Sequence, residues 1–249
     1  MRYFIELSYK GTGYNGWQKQ NNSLGVQQVV EEAMSTILRQ PIELTGSSRT
    51  DTGVHAEQQF AHFDFDEIAN TEQLVYNING MIPRDVAVKK IFAVPDDINS
   101  RFAATHRRYE YRISRNKNPF LINQVFILRG EPDVEIMNKA AELLLQYNDF
   151  ESFSKLHTSV NNFRCSISEA IWVEKDDLLI FSIQSNRFLR GMVRAIVGTL
   201  LEVGKGKKTI ADFEEVIQSK SRKKAGAQAP AEGLFLVEVG YPESLVPTM

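Results

Sequence analysis

Cysteine is almost absent from this chain. Cys165 stands alone, which excludes an intramolecular disulfide and every multi-cysteine metal site. The four histidines, His55, His62, His106 and His157, show neither an HExxH pattern nor paired spacing, so no metal site is expected. No apolar run approaches the roughly eighteen residues that begin to span a bilayer. A basic-then-apolar leader is also missing, so membrane insertion and secretion are not expected and the chain reads as cytoplasmic. Low-complexity tracts and evident internal repeats are lacking too. What is present is an ordinary globular composition, 43% hydrophobic and 24% charged over 249 residues, enough for one large domain or two modest ones.

Charge of one sign is likewise missing, since the net charge is −2. That average conceals a segregation. Residues 101–117 hold six basic residues against one acidic, and residues 186–224 hold ten against four. These local nets of +5 and +6 leave −13 on the remainder. Local clustering, rather than the total, is the electrostatic footprint of phosphate binding. Two solvated faces would give the same counts.

Periodicity sketches an α+β protein. Tyr3, Ile5, Leu7 and Tyr9 alternate, so residues 2–9 read as a half-buried strand. Val26, Val29, Val30, Ala33, Met34, Ile37 and Leu38 recur at helical spacing. Further strands are expected at 41–45, 58–65 and 86–94, with a helix near 71–79. In the second half Tyr109, Tyr111 and Ile113 share a strand face, and a helix is expected over 134–146. Residues 166–173 and 178–183 read as a hairpin turning at Lys175-Asp176-Asp177. A long helix is expected over 186–203, and Thr209 with Asp212 resembles a capping box opening another. A final strand runs from Leu234 to Tyr241. A boundary near residue 100 gives two halves, 1–100 and 101–249.

The segment Gly46-Ser47-Ser48-Arg49-Thr50-Asp51-Thr52-Gly53-Val54-His55-Ala56 concentrates chemistry. It sets an arginine, an aspartate and a histidine among glycines and small hydroxyl residues, between two strand-like runs. Loops held on a scaffold carry chemistry more often than the scaffold does. An Asx-turn or helix N-cap at Asp51, with Arg49 solvated, accounts for the same residues. A second signal lies in the expected helix over 186–203. A helical projection sets Arg187, Arg190 and Arg194 on one side with Gly191 and Gly198, opposite Phe188, Met192, Val193, Ile196, Val197 and Leu200. A glycine inside a helix costs about 1 kcal/mol relative to alanine. Glycine beside arginine therefore points to close approach by a ligand, a phosphate backbone or another element, or else to an exposed helix with incidental glycines.

The loop resembles the catalytic loop of the TruA family of tRNA pseudouridine synthases, whose pattern is Gly-Arg-Thr-Asp-Ala-Gly-Val-His-Ala. Ser48 and Thr52 depart from it; the other positions match. The likeness continues at Tyr9-Lys10-Gly11 through Gln20, at Arg101 through Tyr111, at Phe150, Ser152 and Phe153, at Asn186 through Gly198, and at Pro230 through Leu236. It implies a mixed, mainly antiparallel sheet built from two ferredoxin-like, RRM-like α/β halves, with helices packed on it and a cleft between the halves. It implies isomerisation of uridine to pseudouridine at tRNA positions 38, 39 and 40, in the anticodon stem-loop, by a homodimer with no cofactor and no metal.

By the same resemblance Asp51 is the nucleophile, Arg49 the base-flipping arginine, and Arg194 the basic partner of the aspartate. Tyr109 lines the uracil site. Thr50, His55, Phe188, Arg187 and Arg190 fall in the matching motifs and are expected on the substrate-binding side. The chemistry is consistent with these residue types. A stacked base must leave its helix before its ring carbons react. A carboxylate can then form an adduct or stabilise charge on the sugar, and a nearby guanidinium favours its ionised form. A non-catalytic RNA-binding protein of the same fold is the alternative. A glycosidase-like enzyme lacks an evident second carboxylate, since Glu57 is the only other acid near Asp51 in sequence.

Overall fold

A computed structural model describes residues 1–156 and 161–246, so His157 lies outside the described residues. The chain divides into two compact units, one of residues 1–105 with the C-terminal residues from Leu236 onward, the other His106–Phe235.

In the first unit, β1 (Arg2–Tyr9) runs antiparallel between β3 (His55–Asp64) and β4 (Val86–Val94). A short β2 (Thr45–Gly46) pairs with β3. The helices are α1 (Val26–Leu38) and α2 (Thr71–Met81), and α2 lies along β4. Asn70 caps α2 by accepting from Gln73 N, and α1 ends at Arg39 in the left-handed region. The expected strand over 41–45 shrinks to β2. The backbone N–H groups of Ile42 and Leu44 donate instead to Ser35 Oγ and Glu31 Oε1 on α1, so no ladder forms there. The strand expected at 58–65 begins earlier, at His55.

In the second unit, β8 (Leu178–Ser185) runs antiparallel between β5 (His106–Ser114) and β7 (Ile167–Lys175), while β6 (Phe126–Ile127) adds in parallel to β5. The β7–β8 hairpin turns on Asp176 and Asp177, both at positive φ, as a two-residue turn matched to strand twist requires. Helices α3 (Val134–Glu142), α4 (Met192–Gly204) and α5 (Ile210–Gln218) complete the unit, with α3 packed on β7 and against both α4 and α5. The capping box at Thr209 and Asp212 forms as expected. β9 (Leu234–Gly240) ends the fold; Leu234 and Phe235 group with the second unit and the rest of the strand with the first. The strands and five helices confirm the α+β reading.

The helix expected over 186–203 starts six residues late, at Met192. Gly191 is its N-cap at φ 68°, a left-handed conformation that cannot continue a right-handed helix. Arg187 and Arg190 therefore lie in the segment before α4 and share no helix face with Arg194. Gly198 is inside the helix for a packing reason. A Cβ there would meet the Ala227 carbonyl oxygen at 1.8 Å, so the close neighbour is the chain segment around Ala227.

Candidate active site

In the first unit, the loop joining β2 to β3 carries Arg49, Thr50 and Asp51, and His55 opens β3 directly after it. Its fixation begins upstream. Ser47 N donates to Phe60 O, and Ser47 Oγ donates to Gln59 Oε1 at 2.9 Å. Gln59 Nε2 donates to Ser48 O at 2.8 Å, from a side chain that is fully buried. One amide thus holds both residues preceding Arg49.

The next anchors come from the turn after β1. Trp17 N donates to Thr50 O at 3.2 Å, Gly53 N to Tyr14 O at 3.3 Å, and Gly11 N to His55 Nδ1 at 3.1 Å. Two glycines make this approach possible. A Cβ on Gly11 would fall 2.0 Å from Val54 O, and one on Gly16, at φ 84°, 2.3 Å from Thr50 O. Within the loop Val54 N donates to Asp51 O at 3.1 Å.

Thr50 and His55 turn inward. Thr50 Oγ1 lies 2.8 Å from Tyr9 Oη, and both side chains are buried. His55 is buried and accepts from Gly11 through Nδ1. Both side chains thus brace the loop from within rather than pointing outward from it. Arg49 is exposed and Asp51 half-buried, so the guanidinium and the carboxylate lie at the surface that Thr50 and His55 leave.

The second unit assembles the other expected residues. Tyr109 lies on β5, largely buried, with its ring edge-on to Phe188 at 5.1 Å between centroids and 88° between planes. Arg187 reaches back to Asn162 O at 3.4 Å, and Arg190 is exposed. Arg194 lies in the first turn of α4, where the helix dipole disfavours a cation. Its Nε donates to Ala229 O at 2.6 Å while its own carbonyl accepts from Ala229 N at 2.9 Å. Beneath it Tyr111 donates to Pro230 O, and burial pushes that phenol well above its ordinary pKa. Gly233 fits because a Cβ would meet Arg112 O at 2.8 Å and the Tyr111 ring at 2.9 Å.

Sequence reasoning missed Gln59 and Tyr9 as parts of this machinery. Gln59 sat in an alternating run that read only as strand. A signal was present: it is an amide at an inward register position four residues after His55. Tyr9 alternates with Tyr3, Ile5 and Leu7 and opens the Tyr9-Lys10-Gly11 motif, and neither pattern points to its partner Thr50.

The comparisons follow this geometry. A family model described as tRNA pseudouridine synthase matches residues 140–242. A tRNA pseudouridine synthase A of Parabacteroides distasonis is 48% identical over 99% of this chain and 98% of its own length. That of Bacteroides thetaiotaomicron is 47% identical over 98% of this chain and 92% of its own, and that of the more distant Pseudoalteromonas atlantica is 37% identical over 98% and 94%. With identity at this level along nearly the whole length of both chains, the chain belongs to the tRNA pseudouridine synthase A family.

Proposed function

We propose that this protein isomerises uridine to pseudouridine in the anticodon stem-loop of tRNAs, at positions 38, 39 and 40, in the cytoplasm and as a homodimer. In this reading Asp51 is the nucleophile, Arg49 aids extrusion of the nucleotide, Arg194 pairs with the aspartate, and Tyr109 with Phe188 lines the uracil site. Arg187 and Arg190 meet the phosphate backbone. The reaction breaks the N1–C1′ bond and forms a C5–C1′ bond. The carboxylate holds the fragment or the charge that separates the two events, the hydrogen at C5 leaves as a proton, and N1, freed from the sugar, takes up a proton. Electrons balance without an oxidant or reductant.

The observation that carries this reading is the near-full-length identity to curated synthases together with a loop in which Arg49-Thr50-Asp51 is intact. The loop's anchoring supports it further, because electrostatic stabilisation of a transition state depends on groups oriented in advance. Arg194 in a first helical turn adds to this: a cation kept where the dipole opposes it suits a site that receives negative charge.

Tritium release from tRNA transcript labelled at uracil C5 tests the proposal. Wild type is expected to release label stoichiometrically, and Asp51→Ala to release none while keeping tRNA affinity, since phosphate contacts dominate binding. Equal loss of affinity and rate in Asp51→Ala would remove the nucleophile assignment.

A further inference from the structure

We infer that Tyr9 is a positioning residue for Asp51, acting through the hydroxyl of Thr50. The inference rests on the nucleophile reading of Asp51 given above. Tyr9 is the last residue of β1 and is 5% exposed, with its ring stacked on Trp17 at 6.1 Å and 29°. Its hydroxyl lies 2.8 Å from Thr50 Oγ1, a contact across 41 residues of sequence inside the core. Thr50 is itself 8% exposed.

Two features make this pair more than packing. The first is the strand that presents it. Between the pairs Leu7↔Gln59 and Tyr9↔Ala56, β1 advances two residues while β3 advances three. Such a bulge re-aims the side chains beside it and is common next to active sites. It sets Tyr9 opposite Ala56, while Gln59, the partner of Leu7 on the other side of the bulge, holds the Ser47 hydroxyl and the Ser48 carbonyl.

The second is the residue it grips. Threonine is β-branched and stiff at χ1, so fixing Oγ1 fixes the direction of Cα–Cβ. The carbonyl of the same residue is held by Trp17 N at 3.2 Å. A side-chain bond and a backbone bond on one residue leave the Thr50 peptide little freedom to rotate, and that peptide is the one that carries Asp51. A neutral buried hydrogen bond adds only modestly to net stability. A reacting group misplaced by about 1 Å can lose on the order of a hundredfold in rate.

The test compares wild type, Tyr9→Phe, Thr50→Val, the double variant, Thr50→Ser and Asp51→Ala. Tritium release is followed in single turnover with enzyme in saturating excess, and tRNA affinity by filter binding. Under enzyme excess an unfolded fraction leaves the rate constant unchanged, so a purely structural role would not move it. Tyr9→Phe and Thr50→Val are each expected to slow the rate constant about tenfold, with affinity within about twofold of wild type. The double variant should be no slower than the slower single, because the two hydroxyls form one interaction. Thr50→Ser, which keeps the hydroxyl, should stay within about threefold of wild type.

A wild-type rate in Tyr9→Phe overturns the inference, as does multiplicative slowing in the double variant or a loss of affinity that matches the loss of rate. Release by Asp51→Ala would remove the nucleophile reading and this inference with it. No release by Asp51→Ala with a wild-type rate in Tyr9→Phe would sink the inference alone.

Discussion

His62 shows how a single buried side chain sets a pH response away from the site. It is buried on β3, with Nδ1 2.9 Å from Ser100 Oγ and 3.2 Å from Ser100 N. Burial, then the Arg2 guanidinium, lowers its pKa below the ordinary 6.5, against a weaker opposing pull from Asp64. The folded state therefore binds that proton less readily than the unfolded chain. Its contribution to stability is complete above pH about 6.5 and is lost as pH falls through the lowered folded value. Urea midpoints measured at pH 7.5 and 5.5 should fall more for wild type than for His62→Gln; equal falls would place the pH sensitivity of this window elsewhere, and not in Asp64, whose carboxyl Arg2 holds low and which stays ionised throughout it. At this scale the sequence was partly legible. Asp51, Arg49 and Tyr109 stood out by residue type and motif. The roles of Tyr9 and Gln59 did not, although Tyr9 opens a motif, because a buried tyrosine and an inward glutamine on strands look like core until their partners 41 and 11 residues away are known.

Elements followed their periodicity where propensity and packing agreed. Strands β1 and β4 and helix α1 fall where alternation and helical spacing put them, and the capping box opens α5. The failures have two causes. Over 41–44 and 186–190 the side-chain pattern suited a strand and a helix, but backbone donors found side-chain partners in one case and a left-handed glycine intervened in the other. The glycines separate the two kinds of information. Gly198 in α4 has no room for a Cβ beside Ala227 O, whereas a Cβ on Gly80 in α2 would meet nothing within 4 Å. Gly198→Ala should destabilise the protein by about 1–3 kcal/mol or more, through overpacking against backbone that cannot yield. Gly80→Ala should stabilise it by about 0.4–1 kcal/mol by restricting the unfolded chain. Chemical denaturation with matched m-values checks both, and a neutral Gly198→Ala would mean that the segment around Ala227 moves aside.

For the whole molecule, a net charge of −2 is a poor guide to a nucleic-acid enzyme because the basic residues are gathered into two stretches. Both fall mainly in the second unit, His106–Phe235, while the Asp51 loop lies in the first. The chain thus keeps most of both basic stretches on one unit and the Asp51 loop on the other. Family membership was legible early because several motifs kept their order along the sequence, and near-full-length identity bears this out. The unit boundary was not, since β9 closes the chain by dividing between both units, a relation that no local pattern encodes. This separation makes a prediction about salt. Affinity for tRNA should fall linearly with the logarithm of salt concentration, with a slope of about 0.7–0.9 per phosphate neutralised. Replacing Arg187 and Arg190 together by glutamine should weaken binding and reduce that slope by between one and two phosphates' worth. Asp51→Asn should leave the slope unchanged while abolishing turnover. Titrations across about 50–200 mM salt distinguish the cases: an unaltered slope in the arginine variant would mean that the segment before α4 faces away from the RNA, and the phosphate contacts would then have to come from the basic residues of β5 or of the chain that follows α4.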